Sequence, residues 1–409
     1  MCYAPFGVCS VRRLLADREF ALYFFARQCA IAAFGIESAA IAWQIYLLRH
    51  SAFDLGLIGL LLFVPALALA LPAGYLADRF DRETVAALGS ASEMVALLVF
   101  VALSLSHSRS LAAYFAAVFF IGSIHALGVA AERSLLTNIV APGSFVRATA
   151  LSQSANQVVT VFAPALAGVL LSINTTAAFG CAAALYGMGS LGFAVLRPAP
   201  MRDEERPTWR SSLEGICYVW RHKIVLGAIS LDLFAVLFGG AVALLPVYAT
   251  QVLHVGPTGF GALRAASGAG AAIVAAAIAR RPLRRRLGPT LFWCVAGFGL
   301  ATIAFGVSKS FWFSLLALAL AGGFDMVSMV IRNVLVQLGT PNAMRGRVSS
   351  IENVFIGASN ELGAFESGTV AAWIGVEASV VAGGIGTLIV IALWAWWFPR
   401  LRGYDAPKG

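Results

Sequence analysis

Long apolar stretches follow one another along almost the whole chain, separated by short polar breaks. They run over about 19–48, 55–77, 84–106, 111–140, 145–173 and 176–196. After a polar stretch at 197–223 they resume over about 224–252, 259–279, 289–307, 311–338, 348–373 and 379–398. Roughly 20 apolar residues carry an α-helix across the hydrocarbon of a bilayer. The pattern therefore predicts an all-α membrane protein with twelve transmembrane helices in two pseudo-symmetric six-helix bundles, residues 1–196 and 224–409. The linker at 197–223 repeats Trp209, Leu213, Ile216 and Trp220 at helical spacing, and Ser211 and Glu214 stand at capping-box spacing. This predicts a short amphipathic helix on the inner membrane surface.

The halves read as a duplication. Arg133 to Pro142 leaves the fourth span, and Arg332 to Pro341 leaves the tenth; each places proline nine residues after arginine, with further arginines beyond. Gly59 and Gly261 hold similar places in spans two and eight. Parallel six-helix repeats are a common transporter plan.

Composition agrees. Of 409 residues, 60% are hydrophobic and 12% charged, against about 25% charged in soluble domains. The net charge of +9 would suggest nucleic acid in a soluble protein. Here its distribution decides otherwise. With the N-terminus placed in the cytoplasm, 24 of the 29 Lys and Arg fall on inner segments, and only Arg49, Arg109 and Lys309 on outer ones. The positive-inside rule then puts both termini in the cytoplasm, with the bilayer and not nucleic acid as partner. The tryptophans at 394, 396 and 397 mark an expected inner interface, and Phe311-Trp312-Phe313 an outer one. The 6 cysteines are scattered without metal-ligand or disulfide spacing, and the segment before Arg12 and Arg13 lacks a signal-peptide pattern. Gly187, Gly189 and Gly192 match a dinucleotide fingerprint, but inside an apolar span they predict close helix packing. No Walker loop occurs, so ATP does not power the chain directly, and no cofactor or metal is expected.

Between spans two and three lies Gly74-Tyr-Leu-Ala-Asp78-Arg79-Phe-Asp81-Arg82. It resembles the G-x-x-x-D-R-x-G-R-[KR] signature loop of the major facilitator superfamily, with Asp81 in place of glycine and Glu83 in place of the last basic residue. In that reading Gly74, Asp78, Arg79 and Arg82 form a conformational gate, Asp78 pairing with Arg82 one turn on or sitting at a helix N-terminus. The stretches 231–246, 255–266, 344–348 and above all Ser359-Asn360-Glu361 to Gly368 are similar to the bacterial branch that includes the enterobactin exporter, the transmembrane secretion effectors. The resemblance implies a major facilitator fold in the bacterial cytoplasmic membrane. It also implies export of a siderophore, drug or other amphipathic compound by proton antiport, with the transmembrane proton gradient as energy source.

Charges inside spans are costly, about 2.5–3.5 kcal/mol each on insertion scales, and mark function by default. Arg27, Glu37, Glu93, Glu132, Asp232, Arg264, Asp325, Arg332, Glu361 and Glu366 qualify. Counting depth from the helix ends predicts a polar contact between Asp232 and Arg332, and places Arg264 in the interior beside Glu361 or Asp325. Glu37 has no basic residue within two turns of its own span; it is the leading proton-linked or cation-recognising acid, with Asp325 second. Gln44 lies seven residues after Glu37. His125 is a lone histidine among apolar residues, either hydrogen-bonded in the core or part of a proton relay. Glu352, Ser359 and Glu366 share one face of span eleven, with Asn353 and Asn360 on the adjacent stripe; this face lines the cavity or a helix contact, the cavity being preferred. The substrate and coupling set is thus Glu37, Gln44, His125, Asp325, Asn360 and Glu361. An uptake permease of the same fold, or a non-transporting membrane sensor or assembly protein, fits the same pattern.

Overall fold

The computed structural model describes residues 14–197, 209–281, 286–341 and 344–405; at 70–79, 129–131, 133–134, 142 and 209–214 only the backbone is described. The first half contains α1 (Arg18–Arg49), α2 (Ala52–Arg79), α3 (Arg82–Leu105), α4 (Leu111–Ile139), α5 (Pro142–Ile173) and α6 (Thr175–Val195). A connecting helix, Trp209–Arg221, precedes α7 (Lys223–Phe238), α8 (Gly256–Arg280), α9 (Leu287–Gly306), α10 (Phe311–Gly339), α11 (Arg345–Ile374) and α12 (Val376–Trp397). Eleven of these helices are long and apolar enough to span a bilayer. The twelfth, α11, has 30 residues but carries Glu352, Glu361 and Glu366 along its length.

The packing repeats between the halves. In the first, α3 lies against α4 and α6; in the second, α9 lies against α10 and α12. Glycines set these contacts. A Cβ on Gly89 of α3 would stand 3.1 Å from Gly128 Cα of α4, and one on Gly187 of α6 would stand 3.0 Å from Met94 Sδ of α3. Helix α7 stops at Gly239 and Gly240, then continues as a 3-10 turn (Ala241–Leu244) and, past Pro246, a π turn (Tyr248–Val252). Both glycines lie under neighbours that exclude a side chain: a Cβ at either would come within 2.5 Å of the Phe298 ring or of Ser367 Oγ.

Contacts group the described residues into two compact units. One holds the chain up to Ile41 and from Val64 to the end of α6; the other holds Ala42–Phe63 and the chain from Trp209 onward. The sequence placed the whole of 1–196 together. Within the second unit, the hairpin joining α1 and α2 packs on α11 through Gly56 and Gly368, and Thr250 Oγ1 donates to the Tyr46 hydroxyl at 3.1 Å.

Exposure is inverted relative to a soluble protein. Leu67, Phe162, Leu191, Ile273, Trp293 and Trp312 are exposed, while Glu37, Glu93, Asp232, Arg332 and Glu352 are buried. Apolar surface outside and charged groups inside is the arrangement a bilayer imposes. One interface expectation changes: Trp396 and Trp397 are exposed, but Trp394 is buried and its indole N–H donates to Ser230 Oγ at 3.0 Å.

Candidate functional site

A cavity of about 190 Å³ lies within the first unit, walled by α1, α3, α4 and α6. Helical spacing puts its polar side chains on inward faces: Arg27 on α1, Ser90 and Glu93 on α3, His125 and Glu132 on α4, with Tyr186 from α6. The Gly89–Gly128 contact draws α3 and α4 together and brings Glu93 opposite His125. His125 Nδ1 lies 3.5 Å from Glu93 Oε1, and the imidazole stacks on Phe34 at 4.8 Å between centroids. Arg27 pairs with Glu132 at 3.6 Å.

Glu37 is not on the cavity wall. It is buried behind Tyr186, whose hydroxyl donates to Glu37 Oε2 at 2.8 Å. Glu37 Oε1, both oxygens of Glu93 and Ser90 Oγ are buried without a hydrogen-bond partner. Glu37, Glu93 and His125 lie within electrostatic range of one another, and Glu132 within range of Glu93. The result is a connected set of three carboxyls, one guanidinium, one imidazole and one phenol. Buried polar groups left open in this way are expensive.

The second unit holds its own charges. Arg332, 2% exposed, contacts Asp232 Oδ2 through Nη1, the pair expected from depth counting, and donates from Nε to Glu352 Oε1 at 2.9 Å. Arg264 interacts electrostatically with Glu361. Asp325 and Gln44 are half-buried, and Asn360 is exposed. The expected substrate and coupling set is thus divided, with Glu37 and His125 in one unit and Gln44, Asp325, Asn360 and Glu361 in the other. The α11 face is corrected: Glu352 and Ser359 are buried in helix packing, Glu352 on Arg332, while Asn353 and Asn360 on the adjacent stripe are the exposed pair.

Of the loop motif, the side chains of Gly74, Asp78 and Arg79 lie outside the described residues. Helix α2 ends at Arg79 and α3 begins at Arg82, so Asp78 and Arg82 are not one turn apart on a single helix. Arg82 Nη1 donates to Asn138 Oδ1 at 3.3 Å, tying α3 to the end of α4. The side chains of Trp209, Ser211, Leu213 and Glu214 likewise lie outside the described residues. Sequence reasoning missed Tyr186 and Ser90. The signal for Tyr186 was the one phenol in the middle of a largely apolar span, whose hydroxyl seeks a partner once buried.

A family model described as Major Facilitator Superfamily matches residues 23–364. The enterobactin exporter EntS of Citrobacter koseri is 27% identical over 397 residues, covering 95% of this chain and 94% of that protein. EntS of Shigella boydii serotype 18 is 27% identical over 91% of this chain and 89% of its own. Among solved structures, an auto-inhibited POT family peptide transporter superposes with a TM-score of 0.74 at 12% identity, over 96% of this chain and 99% of that one. The nucleoside transporter NupG superposes with a TM-score of 0.69 at 13% identity, over 93% and 99%. The chain belongs to the major facilitator superfamily and is a multi-pass membrane transporter, not an enzyme.

Proposed function

We propose that this transporter exports a small amphipathic molecule, a siderophore or drug among the candidates, from the cytoplasm in exchange for protons. It would sit in the bacterial inner membrane with both termini cytoplasmic and need no cofactor beyond the proton gradient. The observation that carries the reading is the buried set Glu93–His125 on the cavity wall with Glu37–Tyr186 behind it. A cation in the cavity and a proton satisfy the same carboxyls, so binding of one favours release of the other. Glu37 keeps the role expected from sequence, as the inner member of the pair, reached through Tyr186; Asp325 is the second acid. The resemblance to EntS supports export as the direction.

The test begins with a screen for efflux-dependent resistance in a pump-deficient bacterium. The substrate found is then followed in proteoliposomes under an imposed pH gradient. Transport out of the compartment facing the termini should require the gradient. Glu93→Gln and Glu37→Gln should each lose gradient-driven transport while retaining exchange of labelled for unlabelled substrate. Gradient-independent flux, or full gradient-driven transport in both variants, defeats the proton-coupling reading. Accumulation in cells expressing the protein would make it an uptake permease, and no flux under any gradient would leave the charges purely structural.

A further inference from the structure

The cavity in the first unit offers more than a place for protons. Ser90 and Glu93 are one helical turn apart on α3, are 2% and 3% exposed, and both line the cavity. Together they present three acceptor atoms with no hydrogen-bond donor. His125 Nδ1 stands 3.5 Å from Glu93 Oε1, too long for a hydrogen bond. Arg27, the guanidinium of the cavity, is held by Glu132. Two carboxyls, Glu93 and Glu132, stand on the wall against one guanidinium, with Glu37 behind Tyr186, and the site favours a positive guest. Beside the acceptors, Phe34 and His125 stack with their planes 19° apart, and Phe34 is 43% exposed. Ala30, Ile31 and Ile124 complete an apolar wall. At about 190 Å³ the cavity is smaller than a pocket for a drug-sized molecule, so it accepts one end of a ligand.

We propose that this cavity is a subsite for the ammonium head of an aromatic amine, the N–H groups donating to Ser90 and Glu93 and the ring lying against the Phe34–His125 pair. This rests on the cavity being the substrate site, and it adds the class of substrate. Two features separate it from a general cation trap. Acceptors left without donors select an ammonium that carries N–H over a quaternary nitrogen of equal charge. The stacked pair selects an aromatic over an aliphatic body.

The probes are 2-phenylethylammonium, its N,N,N-trimethyl analogue and neutral 2-phenylethanol. Their binding to the full-length protein in detergent is measured by calorimetry at one fixed pH with no gradient. The primary ammonium should bind at least about tenfold tighter than either analogue, as charge-assisted hydrogen bonds predict. Glu93→Gln and Ser90→Ala should each weaken it several-fold and narrow its margin over the trimethyl compound, and Phe34→Leu should weaken all aromatic probes alike. Cooperative thermal unfolding of each variant verifies that it is folded; Ser90→Ala removes one oxygen and keeps the test open if Glu93→Gln does not fold. Equal or tighter binding of the trimethyl compound overturns the donor argument. Equal binding of the alcohol overturns the cationic class, and no binding of any probe to folded wild-type protein overturns the subsite. Selective ammonium binding without gradient-driven transport would defeat proton coupling and leave this inference standing; gradient-driven transport without selective binding would defeat this inference alone.

Discussion

Arg332 is enclosed by Asp232 from α7 and Glu352 from α11, and it is among the largest fully buried side chains in the protein. Removing one member of a buried ionic group leaves the others charged and unpaired, at a cost of about 3–5 kcal/mol. Arg332→Met should therefore destabilise the protein by that order, read from thermal unfolding in detergent. The triple change Asp232→Asn, Arg332→Met and Glu352→Gln should recover much of the loss, since it removes the stranded charges; a triple variant less stable than the single one refutes this account. The same logic applies to Tyr186. Its hydroxyl is the hydrogen-bond donor to Glu37, so Tyr186→Phe should cost about 1–3 kcal/mol. Glu37→Gln keeps an acceptor for that hydroxyl and should cost less. The reverse order would show that the bond does not hold Glu37 in place.

At the scale of elements, the connecting helix shows how amphipathicity and packing part company. Its Val219 is buried among Val225, Ile229, Val336 and Val348, and the Tyr218 hydroxyl donates to the Gly339 carbonyl at the end of α10. Ile216 and Trp220 face away and are exposed. Ile216 and Trp220, the described members of the apolar stripe read from the sequence, are thus not on the face that docks on the protein. Val219→Ala should lower thermal stability in detergent by about 1–3 kcal/mol, and Trp220→Ser should stay within about 0.5 kcal/mol. Equal losses would mean that both faces pack on protein. Helix α11 makes a related point: too polar to register as a span by hydropathy, it is nevertheless as long as its neighbours, and Glu352, Ser359 and Ser367 are buried against them.

For the whole molecule, the arginine distribution predicts an orientation that native cysteines can test. Cys217 lies exposed on the connecting helix, while Cys29 and Cys294 are buried. With Cys2, Cys9 and the half-buried Cys181 replaced by serine, a membrane-impermeant maleimide should label Cys217 in inside-out vesicles and not in intact cells. Labelling from outside intact cells would invert the topology and, with it, the direction proposed for transport.

Span number, the repeat, the linker helix and the Asp232–Arg332 contact were legible in the sequence, because each depends on chain-local quantities: runs of apolar residues, charge between runs, and depth counted at a fixed rise per residue. The identity of the in-span charges was equally plain. Their partners were not. Glu93 faces His125 only because Gly89 lets α3 approach Gly128 of α4, and Glu37 is sealed only because α6 brings Tyr186 across to it. Arg332 gained Glu352 as a second carboxylate because α11 turns its polar stripe inward. A helical pattern states which face of a helix is polar, but not which neighbour that face meets or how far around its axis the helix is rotated. Side-chain packing between helices sets both, and so only the tertiary structure decided which acids stand open in a cavity and which are closed in ion pairs.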